Sequence, residues 1–187
     1  MNKDEIIEGL RRTLSYYAVM NGAASGLLAR DALARYQASP ADAGPATLVR
    51  EMVCDDLWRG FQDAIKPLGA PRQMLSSLIG LFRARSAAGV RTYVAVAGDE
   101  VVGTASLIVE QKYLHSGGRA GHIEDVSVAS THQEKGVGRA LVEHLLQVCK
   151  QEGVYKVVLA CSEDNVAFYE RLGFRRHEVA MRVDLEG

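Results

Sequence analysis

Apolar residues recur at helical spacing near the start of the chain. Ile6, Ile7, Leu10, Leu14, Tyr17 and Ala18 share one face of a 3.6-residue period. Asn2 is placed to cap this helix, with Asp4 and Glu5 in its first turn. A second helix is predicted from Ala23 to Ala38 on Leu27, Leu28, Leu33 and Tyr36, and Asn21-Gly22 separates the two. The run Ser39-Pro-Ala-Asp-Ala-Gly-Pro45 then breaks any helix, because proline lacks a donor and fixes φ. Residues 1–45 therefore read as an N-terminal helical arm and linker, and residues 46–187 as one domain. Two roles fit the arm: a hairpin covering an apolar face of the domain, or a dimerisation or lid element.

The pattern changes at Thr47. Thr47–Met52 predicts a short strand, Asp55–Lys66 a helix stopped by Pro67, and Pro71 the first position of another helix reaching Ala87. Thr92–Val96 and Val101–Glu110 flank Gly98-Asp99 as a hairpin. Gly117-Gly118 turns the chain into a strand from His122 to Val128, and the loop Thr131–Gly136 opens a helix, Val137–Gln151. A strand Tyr155–Cys161, a helix Asp164–Leu172 ended by Gly173 and a last strand Arg175–Val183 follow. The order β-α-α-β-β-β-α-β-α-β predicts an α/β (α+β) domain.

Composition narrows the functional classes. At 187 residues, 48% hydrophobic and 24% charged, the chain buries enough surface to need no disulfide or metal staple. A formal net charge of −1 argues against a nucleic-acid partner. No apolar run approaches the roughly 20 residues of a membrane span. The 3 cysteines, Cys54, Cys149 and Cys161, are odd in number and irregular in spacing, as expected of reduced thiols. With no secretory or acid-poor leader, a cytoplasmic location is expected. His122, His132, His144 and His177 share no metal-ligand spacing, and no metal is assigned.

The candidate chemistry lies at Val126-Ser-Val-Ala-Ser-Thr-His-Gln-Glu-Lys-Gly-Val-Gly-Arg-Ala-Leu141. A strand runs into a loop holding Gln133, Glu134, Lys135, Gly136, Val137, Gly138 and Arg139, then into a strong helix. Glycine permits close backbone approach to a ligand, and an uncapped helix N-terminus favours phosphate. The same glycines also suit a plain strand-to-helix turn.

Gln133-x-x-Gly136-x-Gly138 resembles the Q/R-x-x-G-x-G/A loop of the GCN5-related N-acetyltransferase (GNAT) superfamily. Within it, Val109-Glu-Gln-Lys-Tyr-Leu-His115, Gly121-His-Ile-Glu-Asp-Val-Ser-Val128, Tyr155-Lys-Val-Val-Leu159 and Asn165-Val-Ala-Phe-Tyr-Glu-Arg-Leu-Gly-Phe174 resemble the glucosamine-6-phosphate N-acetyltransferase family. The resemblance is strong from Val102 to Met181, weaker from Leu48 to Lys66, and absent from the arm. It implies a mixed, mostly antiparallel central sheet flanked by helices, with acetyl-CoA as co-substrate and a homodimer whose sites are completed across the interface. It further implies direct acetyl transfer to a small primary amine in a ternary complex.

The resemblance also implies roles for individual residues. The loop from Gln133 to Arg139 would cradle the coenzyme pyrophosphate, and the strand through Val126, Ser127 and Val128 would offer amides to pantetheine and the thioester. Tyr169 would be the general acid on the leaving thiolate. Asn165 would cap its helix, touch the coenzyme, or both, and Arg171 would meet coenzyme phosphate or stay solvated. Glu124 and Asp125 would face the acceptor amine and bind it or relay its proton, with Glu124 the catalytic one of the two. Lys112, His115, Tyr155 and Lys156 would contact the acceptor. Three departures stand out: Ala160 replaces a family carboxylate, Glu134 stands where glycine is frequent, and Asp184 aligns with a family basic residue while no early threonine matches before Leu68. Two other readings stay open: transfer to an unphosphorylated amino sugar, amino acid or polyamine, or a non-catalytic acetyl-CoA sensor.

Overall fold

The computed structural model describes residues 47–185, so the arm and linker expected over residues 1–45 lie outside the described residues. Five strands form one sheet in the order β1-β2-β3-β4-β5. They are β1 (Leu48–Glu51), β2 (Arg91–Ala97), β3 (Glu100–Gln111), β4 (Arg119–Val128) and β5 (Val154–Val158). The first four pair antiparallel, and β4 pairs with β5 in parallel. Four helices flank the sheet: α1 (Phe61–Ile65), α2 (Leu75–Ala87), α3 (Val137–Gln151) and α4 (Glu163–Glu170).

Alternation along the strands builds two cores, because successive side chains point to opposite faces. On one face, α3 buries Val137, Leu141, Val142, Leu145, Val148 and Cys149 against Tyr93, Ala105, Leu107 and Ile123. The spacing of those helix positions is the amphipathic stripe of a core-facing helix. On the other face, Leu57, Ala64 and Leu78 pack against Val94, Val96 and Val101.

Four expectations are corrected. The helix expected over Asp55–Lys66 is divided into a 3-10 turn, Cys54–Trp58, then α1, then a second 3-10 turn, Lys66–Leu68, which runs through Pro67. Gly60 makes the break: its φ is 94°, and a side chain there would meet the Val101 carbonyl oxygen at 2.7 Å. The next helix starts at Leu75 rather than Pro71, and the turn anticipated at Gly117-Gly118 is one turn, Leu114–Gly117, with His115 and Ser116 left-handed at φ 55°. The last strand is absent from residues 175–185, where Val179, Met181 and Val183 are exposed. Extended backbone needs a neighbour for its N–H and C=O groups, and this segment has no ladder partner among the described strands.

Candidate active site

The site begins where β4 leaves β5. The two strands pair through Arg119–His122 and Val154–Val158, and β4 then continues to Val128 without β5, still paired with β3. Residues 123–128 thus have no described strand on that side, which leaves a wedge with an open backbone edge. On its other side β4 carries a bulge. Thr104 faces Ser127 and Ser106 faces Glu124, so Ala105 alone opposes Asp125 and Val126. Asp125 takes up the extra residue at φ 53°. A bulge interrupts the ladder and re-aims its residues, which frees main-chain groups for a ligand.

The glycine loop follows directly. Gly136 is the N-cap of α3 at φ 80°, with no side-chain cap and no acid in the first turn. The first N–H groups of α3 therefore keep their ligand capacity. A side chain at Gly136 would meet no protein atom, so the residue is needed for its backbone angle and the space above it stays open. Gly138 lies against Phe168 and Val128, with room for a methyl group. Glu134 occupies the left-handed region at φ 62°, where glycine costs nothing and glutamate is strained. The loop is braced internally: Gln133 Nε2 donates to the Val128 carbonyl at 3.3 Å and Lys135 Nζ to the Thr131 carbonyl at 2.8 Å. Arg139 pairs with Glu143 at 2.8 Å.

Helix α4 meets this loop through Phe168, which lies against Gly138, and Tyr169 is the next residue. The ring packs on Phe168 (4.9 Å) and Phe174 (5.8 Å) and, like Val126 and Val128, against the core on the α3 face. Burial raises its phenol above the ordinary value, with Cys161 adding to the effect, so the group is protonated and able to donate at neutral pH. Asn165 does not cap α4. Ser162 is the N-cap, and Asn165 Nδ2 reaches back to Ser162 Oγ at 3.1 Å. Arg171 is exposed at the C-cap of α4. Ala160, two residues past β5, offers no carboxylate at that position.

The acceptor-side residues fall into two sets. Glu124 and Asp125 sit at the bulge, and Asp125 is tied to Arg85 and Ser106. Lys112 approaches from the same face of the sheet. It pairs with Glu110 at 2.5 Å, and His122 meets the same carboxylate at 3.1 Å. These partners hold Glu110 below the usual carboxylate range, the Lys112 hydrogen bond first. The second set is His115, Tyr155 and Lys156. His115 stacks on Tyr155 with ring centroids 4.3 Å apart, and Lys156 Nζ lies 5.7 Å from the Tyr155 centroid. Lys156 is level with Ala120, four residues before Glu124, hence roughly 13 Å back along β4.

A cavity of about 330 Å³ opens between α2 and the sheet, lined by Leu57, Phe61, Leu78 and Phe82 and closed at its polar end by Arg85, Ser106 and Asp125. Sequence reasoning passed over Arg85, Ser106 and Glu110. The spacing Glu110-x-Lys112 was a readable sign, since residues two apart on a strand share a face. No local pattern marks Arg85 or Ser106. Among the described residues no three His, Cys, Asp or Glu side chains cluster as metal ligands, and no helix is long and apolar enough to cross a membrane.

Comparison with known proteins accords with this geometry. The model of the acetyltransferase (GNAT) family matches residues 50–174. The glucosamine 6-phosphate N-acetyltransferase of Trypanosoma brucei brucei is 46% identical over 85 residues, 46% of this chain and 58% of that protein. Glucosamine 6-phosphate N-acetyltransferase 1 of Dictyostelium discoideum is 31% identical over 140 residues, 73% of this chain and 89% of that protein. The crystal structure of glucosamine-6-phosphate N-acetyltransferase from Arabidopsis thaliana superposes with a TM-score of 0.70 at 29% identity, covering 75% of this chain and 99% of that one.

Proposed function

We propose, for a chain that belongs to the GNAT acetyltransferase family, that it transfers the acetyl group of acetyl-CoA to the amine of glucosamine 6-phosphate. The substrate assignment is supported by the names of relatives from trypanosome and slime mould. One observation carries the chemistry: the bulged half of β4, open on its β5 side, leads through the loop to the uncapped helix at Gly136, where α4 lies against Gly138 through Phe168, the neighbour of Tyr169.

In this reading the coenzyme pyrophosphate meets the N–H groups from Gln133 to Gly138 and the start of α3, where the helix dipole favours negative charge. Glu134, Lys135, Val137 and Arg139 complete the loop around it, and Asn165 and Arg171 border the coenzyme from α4. Pantetheine takes the free edge of β4 through Val126, Ser127 and Val128. The bulge aims main-chain donors at the thioester carbonyl, which polarises it as negative charge grows on oxygen. The amine attacks directly, and no cysteine is needed as an acyl carrier. Glu124 faces the amine and takes its proton, and the Tyr169 phenol donates to the departing thiolate.

The acceptor's phosphate calls on Lys112 from the same face as Glu124. His115, Tyr155 and Lys156 lie at the same end of β4 as the Lys112 backbone, whose N–H donates to the Gly118 carbonyl, and in this reading the chain works as a homodimer in which a second copy supplies them. The unpaired cysteines support a cytoplasmic setting. A second reading, transfer to an unphosphorylated amine, is favoured by the largely apolar cavity beside Asp125 and by Ala160. Release of free coenzyme A with a panel of amines tests both. Turnover fastest with glucosamine 6-phosphate is expected, and release with no amine in the panel contradicts the assignment.

A further inference from the structure

We propose that Arg85 is a positioning residue for acetyl transfer, acting through Asp125 to hold the β4 bulge in its working form. The inference rests on the transfer reading above and extends it to a residue outside the motifs. Arg85 stands in the last turn of α2 and spans to two strands. Its Nη2 donates to Ser106 Oγ at 2.6 Å and to Asp125 Oδ2 at 3.2 Å. Ser106 Oγ in turn donates to the same Asp125 oxygen at 3.3 Å. Both protons of that guanidinium nitrogen are thus engaged, and one carboxylate oxygen receives two donors from two different elements.

Burial decides that this is more than a surface ion pair. The Arg85 and Asp125 side chains are 41% and 50% exposed, and such a pair alone contributes little. Ser106 is 1% exposed. Its hydroxyl is turned from bulk solvent and finds both partners in this cluster, so breaking the cluster costs a buried group its hydrogen bonds. The cluster therefore has one arrangement, and it pins the side chain of the residue whose backbone makes the bulge. The peptide between Asp125 and Val126 belongs to the stretch that offers N–H groups to the thioester. Holding Asp125 fixes the direction of those groups.

The two adjacent acids are thereby separated in role. Asp125 is neutralised by Arg85 and anchored. Glu124 has no hydrogen bond or ion pair through its side chain among the described residues, and it is the acid left to face the amine.

The test is steady-state kinetics and acetyl-CoA titration calorimetry on the full chain, with Arg85→Met, Arg85→Lys, Asp125→Asn and the Met/Asn double variant, each checked for folding by thermal melts. Arg85→Met is expected to lower kcat by about tenfold or more, since small misplacements near reacting atoms carry losses of that order. Acetyl-CoA affinity should stay within about twofold. Arg85→Lys should recover part of kcat, and the double variant should be no slower than the slower single, as for groups acting as one unit. Wild-type kcat in Arg85→Met overturns the proposal, and so do losses that multiply in the double variant. A fall in acetyl-CoA affinity that matches the fall in kcat overturns it too. Should Arg85→Met not fold, Asp125→Asn decides alone: loss of kcat supports the role and wild-type kcat removes it. Wild-type protein inert with every amine overturns the transfer reading, and the proposal with it. That failure is distinct because it appears before any variant is made.

Discussion

Tyr169 and Glu124 meet the reaction at different moments, and their variants should differ accordingly. The phenol meets charge that grows on sulfur only as the acetyl group departs, and such interactions act on kcat. Tyr169→Phe should cut kcat by about tenfold or more, within the usual range for general acid help, and leave acetyl-CoA affinity intact. Burial raises the phenol's pKa, so the acid should persist through neutral pH and be lost only as pH climbs beyond tyrosine's ordinary value of about 10. Glu124→Gln should instead raise the acceptor KM or displace the pH profile towards alkaline values. Wild-type kinetics for either variant in a chemistry-limited assay would remove its assigned role. In the loop, Glu134 places a negative charge and a strained backbone beside the expected phosphates. Glu134→Gly should tighten acetyl-CoA binding, more at low salt than at high salt. Gly136→Val should weaken it, because the left-handed φ of 80° is hostile to a β-branched side chain. Calorimetry at two ionic strengths checks both.

The strand, loop and helix that make the site were readable because their patterns are local. Alternation marks β4, glycine marks the turn, and the stripe from Val137 to Cys149 marks α3. The bulge too left a trace: Ile123 and Val126 pack on the same core although they are three residues apart, which a regular strand does not permit. Less was readable between Cys54 and Leu75. There Gly60 answers to the distant Val101 carbonyl, and no local pattern announces a contact 41 residues away. The same holds for Arg50 and Asp56. Two bonds of 2.6 and 2.7 Å join them, and Asp56, 1% exposed, also accepts from the Val53 N–H. This pair fastens the Cys54–Trp58 turn to β1 and so shapes the cavity wall at Leu57. Asp56→Ala should cost about 3–5 kcal/mol, the usual penalty for breaking a buried pair. Chemical denaturation would show it, and an unchanged midpoint would mean that the pair is dispensable.

For the whole molecule, the proposed homodimer makes a prediction about assembly. If a second copy completes each site, a Glu124→Gln chain and a Tyr155→Ala chain, each impaired alone, should regain activity when mixed and allowed to exchange. One site in the mixed dimer is then intact. Recovery near a quarter of the wild-type rate follows from random pairing, since half the dimers are mixed and each holds one good site of two. No recovery, with exchange verified by light scattering and labelled chains, would place the whole site in one protomer. The tail from Arg175 to Leu185, apolar and uncovered at Val179, Met181 and Val183, belongs to the same question, as does the arm beyond the described residues. The central claim, acetyl transfer to an amino sugar phosphate, is tested most directly by comparing kcat/KM for glucosamine 6-phosphate and glucosamine with saturating acetyl-CoA. A charge-assisted contact to phosphate is worth about 1.5–3 kcal/mol, so the phosphorylated amine should be preferred by at least about tenfold. Equal values, or a preference for glucosamine, would contradict the account.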